Sequence, residues 1–180
     1  LQNDPTQPSS VNPEFLFTES VRRGMSDDIV GIRTEIWTLM VWNQQMADIR
    51  GVATSSDFYN YGGAASDDIW DRWFVGALTN IQEMIRLIEG QSSEVNKLAV
   101  ARIWKAYLYH RITDLWGDVP YSEALQANTD AIVLSPKYDA QQEVYTDLLK
   151  ELKEAAGSFD PNLDDVGAAD PLFGGDIIAW

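Results

Sequence analysis

The chain has 180 residues, 45% of them apolar, with 28 acidic against 13 basic side chains and a formal net charge of −15 at pH 7. That length supports one domain with a real core. The acidity argues against nucleic acid and anionic membrane surfaces, which need clustered Lys and Arg; the absence of cysteine removes disulfides, thiolate metal sites and Cys nucleophiles.

Residues 1–13, LQNDPTQPSSVNP, carry three prolines among Asn, Asp and Ser and read as an extended leader with turns. Pro13 suits a helix start, so EFLFTESVRRG reads as a first helix stopped by Gly24. Apolar residues then recur in steps of three and four from Ile29 through Ile36, Met40 and Met46 to Ile49. They predict a helix ending near Gly51. The loop GVATSSDFYNYGGAAS follows, and Ser66 before Asp67 and Asp68 reads as the cap of a third helix running to Gly90.

Ser92 and Ser93 are expected to cap a fourth helix, EVNKLAVARIWKAYLYHRITDLW, stopped by Gly117. Its apolar residues nearly circle the axis, as in a helix buried among others. YSEALQ reads as a short helical piece, and a last helix starts with a capping box of Asp139 and Gln142 and ends at Gly157. The tail SFDPNLDDVGAADPLFGGD reads as acidic loop, and no alternating strand pattern stands out. The fold class is all-α, with TPR-like antiparallel helix pairs, although the full TPR pattern is not met. No transmembrane segment or signal peptide is legible, and both ends, Leu1 without a Met and the run Ile177 to Trp180, read as cut.

Few residues suggest chemistry. His110 is the single histidine and reads as a packed or hydrogen-bonded core residue. Asp67, Asp68, Asp114 and Asp118 are the carboxylates with apolar neighbours, but helix-start and turn roles explain Asp67, Asp68 and Asp118. Asp160, Asn162 and Asp164 alternate as in a calcium loop, yet Asp165 stands where Gly is needed and Pro171 where Glu is needed. A solvated acidic turn is the expectation, with no metal and no cofactor. YGG and FGGD are too short for phosphate loops and no Lys follows.

Aromatics are the informative class: seven Trp, seven Tyr and six Phe. Those at helical spacing, such as Trp73, Trp104 and Tyr107, read as core. DFYNYGG differs: Phe58, Tyr59 and Tyr61 share a polar loop with Asp57 and Asn60. Flat rings beside amide and carboxylate groups suit sugars, whose C–H faces pack on rings while hydroxyls take hydrogen bonds. The candidate ligand contacts are Asp57, Phe58, Tyr59, Asn60 and Tyr61, with Trp42 and Trp70 as further candidates.

ARIWKAYLYHRITDLWGDVPYSEALQ, residues 101–126, closely resembles the signature helix and turn of the SusD/RagB family of outer-membrane nutrient-binding lipoproteins of Bacteroidota. Three more segments agree in order. LQNDPTQPSSVNPEFLFTES resembles the mature N-terminal region, SPKYDAQQEVYTDLLKELKEAA the helix after the signature, and DPLFGGDIIAW the stretch that opens the next helix. IIAW departs from the pattern, since a Lys commonly precedes that Trp.

The resemblance implies a SusD-like fold, with residues 14–180 as the N-terminal part of one larger helical domain behind the leader 1–13. It implies a non-enzymatic, surface-exposed glycan-binding protein of the outer membrane, paired with a SusC-like TonB-dependent transporter as a lid over its barrel. Membrane attachment would come only through an N-terminal lipid anchor not present in this chain. Three alternatives stay open: peptide uptake, an all-α glycoside hydrolase with two carboxylates about 5–9.5 Å apart, and a plain helical-repeat interaction domain with the transporter as sole ligand.

Overall fold

A computed structural model describes residues 11–25, 39–47, 64–126 and 133–180. Helix α1, Pro13–Gly24, begins as the sequence indicates. Asn12 accepts the Glu14 amide through its side chain, and Pro13 occupies the first turn, where its missing N–H costs nothing. Helix α2 is described over Met40–Trp42. It does not reach Gly51, because Gln44 adopts φ +56° and its amide turns back to the Val41 carbonyl.

Helix α3, Ala64–Trp70, continues into a π-helical stretch, Asp71–Leu78, and then into α4, Thr79–Ile88. Ser66 therefore lies inside α3 and is not its cap. The wide π turns are stitched to their surroundings. Ser20 of α1 donates to the Ala77 carbonyl at 2.7 Å, and the Asn80 amide donates to the Gly76 carbonyl at 2.8 Å. Gly90, at φ +82°, follows the end of α4.

A 3₁₀ turn, Ser92–Glu94, leads into α5, Val95–Trp116; neither serine caps it. Gly117, at φ +74°, stops α5, and the Thr113 hydroxyl donates to the Gly117 carbonyl. A two-residue strand, β1 Val119–Pro120, then pairs antiparallel with β2, Tyr138–Asp139. The expected helix at YSEALQ is instead a turn over residues 122–125, with Leu125 at φ +62°.

Asp139 explains this difference. Its buried carboxylate accepts the Tyr121 and Ser122 amides and the Ser122 hydroxyl, and pairs with Lys137 at 3.1 Å. Bound to that earlier turn, it forms no capping box. Helix α6, Gln141–Ala156, starts at Ala140 without a side-chain cap, while Asp118 accepts the Gln141 amide at 3.0 Å. The tail carries one 3₁₀ turn, Gly167–Ala169.

Helices α4 and α5 are joined by a short turn at residues 89–94. Helix α6 packs along α5, and α1 lies across the π stretch and α4. Phe17, Ile69, Trp73, Leu78, Ile81, Met84, Leu108 and Ile112 fill the core, each no more than 1% exposed. One polar thread crosses it: the Trp104 indole donates to Ser20 at 2.8 Å, and Ser20 passes its own proton to Ala77. That thread ties α5, α1 and the π stretch without leaving a buried polar atom orphaned.

Candidate functional site

The loop residues Asp57, Phe58, Tyr59, Asn60 and Tyr61 lie outside the described residues. Of the other two candidates, Trp42 closes α2 and is half-buried. Trp70 ends α3, also half-buried, and is engaged by other rings. It stacks on Phe74 with centroids 4.6 Å apart and planes 6° off parallel, and meets the edge of Trp116 at 5.2 Å. The series continues from Phe74 to Tyr109 and from Tyr109 to Tyr121, at 6.2 and 4.7 Å. The π stretch, α5 and the turn after β1 are thus joined by edge-to-face packing, the preferred geometry of aromatic quadrupoles.

The candidate carboxylates have structural partners. Asp118 holds the start of α6. Asp114, exposed, accepts the Tyr145 hydroxyl and lies 3.4 Å from the His110 ring. Asp160 accepts the Asn162 amide and side chain at 2.9 and 2.8 Å, a local turn in which the carboxylate faces its own chain. His110 departs from its expected core place: its side chain is 49% exposed. Helix α5 is apolar nearly all round, but α6 does not cover its whole outer face. His110 lies there with Tyr107, Tyr145, Leu149 and Leu152, in an apolar groove of about 450 Å³.

The stretch from Asp160 to Trp180 is built on two polar hubs. Buried Asn96 donates to the Asp160 and Leu163 carbonyls and accepts the Asp160 amide, all within 2.9 Å. Asp170, 3% exposed, accepts the amides of Leu172, Phe173 and Gly175 and the Trp180 indole. Trp180 then meets Phe17 of α1 edge-on at 6.0 Å. The DPLFGGDIIAW motif is thus a loop wound around its own aspartate.

Sequence reading missed a polar cavity of about 360 Å³ between α5, α6 and the turn after β1. Lys105 and Tyr109 of α5, Tyr121 of the turn, and Asp147 of α6 border it, with Arg102 and Glu151 at one end. Arg102 grips Glu151 through two hydrogen bonds of 2.8 and 2.9 Å and reaches Glu154 as well. The half-buried Lys105 ammonium donates to Gln82 of α4 at 2.7 Å. Burial lowers its pKa below the usual lysine range. Tyr121 donates to Asp147 at 2.6 Å, and burial together with that carboxylate raises the phenol's pKa. The Tyr109 hydroxyl is buried with no hydrogen-bond partner among the described residues, and burial pushes its pKa up too. The one available signal was Lys105, a cation set among the apolar positions of α5.

Comparison with known proteins supplies the family. A search of curated proteins gives no match. Among solved structures, a chitin-binding protein superposes with TM-score 0.81 at 28% identity, over 94% of this chain and 36% of its own. A Bacteroidetes AC2a SusD-like protein gives 0.72 at 28% identity, over 94% and 31%. A SusD homologue from Parabacteroides distasonis gives 0.79 at 20% identity, over 93% and 32%, and speaks for the fold alone. The chain spans about a third of the length of these structures. The SusD-like family model, described as starch-binding and associating with the outer membrane, matches residues 5–180; the chain belongs to that family, and its fold is an all-α SusD-like one.

Proposed function

We propose that this chain serves glycan capture at the cell surface, as the N-terminal part of a single SusD-like helical domain in a lipid-anchored outer-membrane protein. The observation that carries this reading is the family match over residues 5–180. The likeness to a chitin-binding structure at 28% identity supports it. Capture comes first, with rings stacking on sugar faces and polar groups taking hydroxyls; hand-over to a SusC-like TonB-dependent transporter follows. The chain supplies binding and no catalysis, since Asp114, Asp118 and Asp160 already have structural partners. A net charge of −15 repels polyanions and leaves neutral glycans indifferent, which favours uncharged polymers such as starch or chitin. The contacts proposed are Asp57, Phe58, Tyr59, Asn60 and Tyr61, with Trp42 and Trp70.

Calorimetric titration of the full-length protein with malto- and chito-oligosaccharides, and separately with oligopeptides, tests this. Saturable sugar binding that weakens at least tenfold in Tyr59→Ala or Tyr61→Ala is expected. Tight peptide binding without sugar binding overturns the reading, and reducing sugar released from the polymer overturns its non-enzymatic part. Co-purification with the transporter tests the partnership, and metabolic lipid labelling tests the anchor.

A further inference from the structure

The cavity between α5 and α6 has a charge pattern that selects among ligands. Arg102 is held by Glu151 through two hydrogen bonds and by Glu154 through a third, so that end offers no unpaired cation. One cation and one anion remain. Lys105 gives one of its three N–H groups to Gln82, and no carboxylate among the described residues lies within ion-pairing distance of it. Asp147 accepts Tyr121 through Oδ2, leaving its other oxygen without a hydrogen bond among the described residues. The Tyr109 hydroxyl beside them is a further donor without an acceptor. An anionic ligand gains Lys105 but meets Asp147, and a cationic one faces the reverse.

A neutral molecule with groups that both donate and accept meets both. Hydroxyls do that, and a polyol ring also has C–H faces for the half-buried Tyr121 ring at the cavity's edge. At about 360 Å³ the cavity lies at the small end of ligand sites, which suits a single ring over a long oligomer. The geometry points to a second glycan site, built on residues other than 57–61, that holds one neutral sugar residue between Lys105 and Asp147. The assignment rests on the glycan-capture reading for its ligand class.

The test uses the full-length protein with glucose and N-acetylglucosamine, and with their tetrasaccharides, by saturation-transfer NMR and calorimetry. Lys105→Met and Asp147→Asn are the cavity variants. The second keeps an acceptor for Tyr121, and circular dichroism checks that each folds. Two sugars per protein are expected, with monosaccharide binding weakened at least tenfold by either cavity variant and retained when Tyr59 and Tyr61 are replaced by Ala. If the cavity variants leave stoichiometry and affinity unchanged while the loop variant abolishes binding, the second site is refuted and glycan capture stands. If no sugar binds the unmodified protein, both fall.

Discussion

The seam between α1 and α5 and the stretch from Asp160 to Trp180 are both ordered, on different physics. At the seam, helices meet through apolar side chains, and the Trp104–Ser20–Ala77 thread only removes polar penalties. The later stretch buries few large side chains of its own. Its backbone amides are instead collected by Asp170 and its carbonyls by Asn96. Burial is spread over many atoms and degrades gradually, whereas a hub concentrates order in one group and fails with it.

Breaking the apolar packing that backs this seam, in the π stretch, has the largest expected effect. Trp73 is 1% exposed, with the Arg111 guanidinium 4.0 Å above its ring. Trp73→Ala is expected to cost about 3–5 kcal/mol, read from urea unfolding of the whole protein. Breaking the hub costs less and acts locally. Asp170→Ala leaves three amides and an indole without their acceptor and is expected to cost about 2–3 kcal/mol. Hydrogen exchange at Gly175 should accelerate while the amides of α5 keep their protection; equal acceleration in both erases the contrast.

A smaller effect belongs to the turn that joins the hairpin. Gly117 sits at φ +74°, ψ −116°, outside the left-handed helical well, with open space where a Cβ would go, so Gly117→Ala carries only backbone strain, about 1–3 kcal/mol. Unfolding midpoints measure it. The smallest effect is electrostatic. Hydrogen bonding from Arg22 chiefly, aided by Arg23 against some burial, lowers the Glu19 pKa from 4.5 to about 2. The folded state therefore binds that proton less readily than the unfolded chain. The stabilisation is complete above pH 4.5 and fades as pH falls towards 2. Glu19→Gln should remove that part of the acid dependence and change little at neutral pH; an unchanged acid profile contradicts it.

The sequence shows these two regions unequally. Pro13 and Gly117 mark helix ends because their backbone preferences are local, whereas Gly24 and Gly157 sit at helix ends without a positive φ. Asp139 misleads for the opposite reason: its donors, Tyr121 and Ser122, lie far earlier in the chain. The π stretch is equally hidden, since its stitching partner Ser20 comes from α1. His110 is exposed because α6 leaves part of the outer face of α5 uncovered at that level. The polar cavity gathers residues from 102 to 151, each an ordinary helix-surface type until the hairpin closes. The aromatic loop is read as a contact site from composition alone, and its five candidates, with Trp42 and Trp70 on helices, are tested by the binding experiments.

Gly24 has a wider consequence. A Cβ placed there would lie 2.6 Å from the Trp104 ring and 2.7 Å from Leu108, both buried at the crossing of two helices. Even the smallest side chain would act as a wedge, tilting the first helix and everything that rests on it. Freedom to diversify is therefore unevenly shared: outward-facing surface can be rewritten, while a single hydrogen atom at this crossing resists replacement.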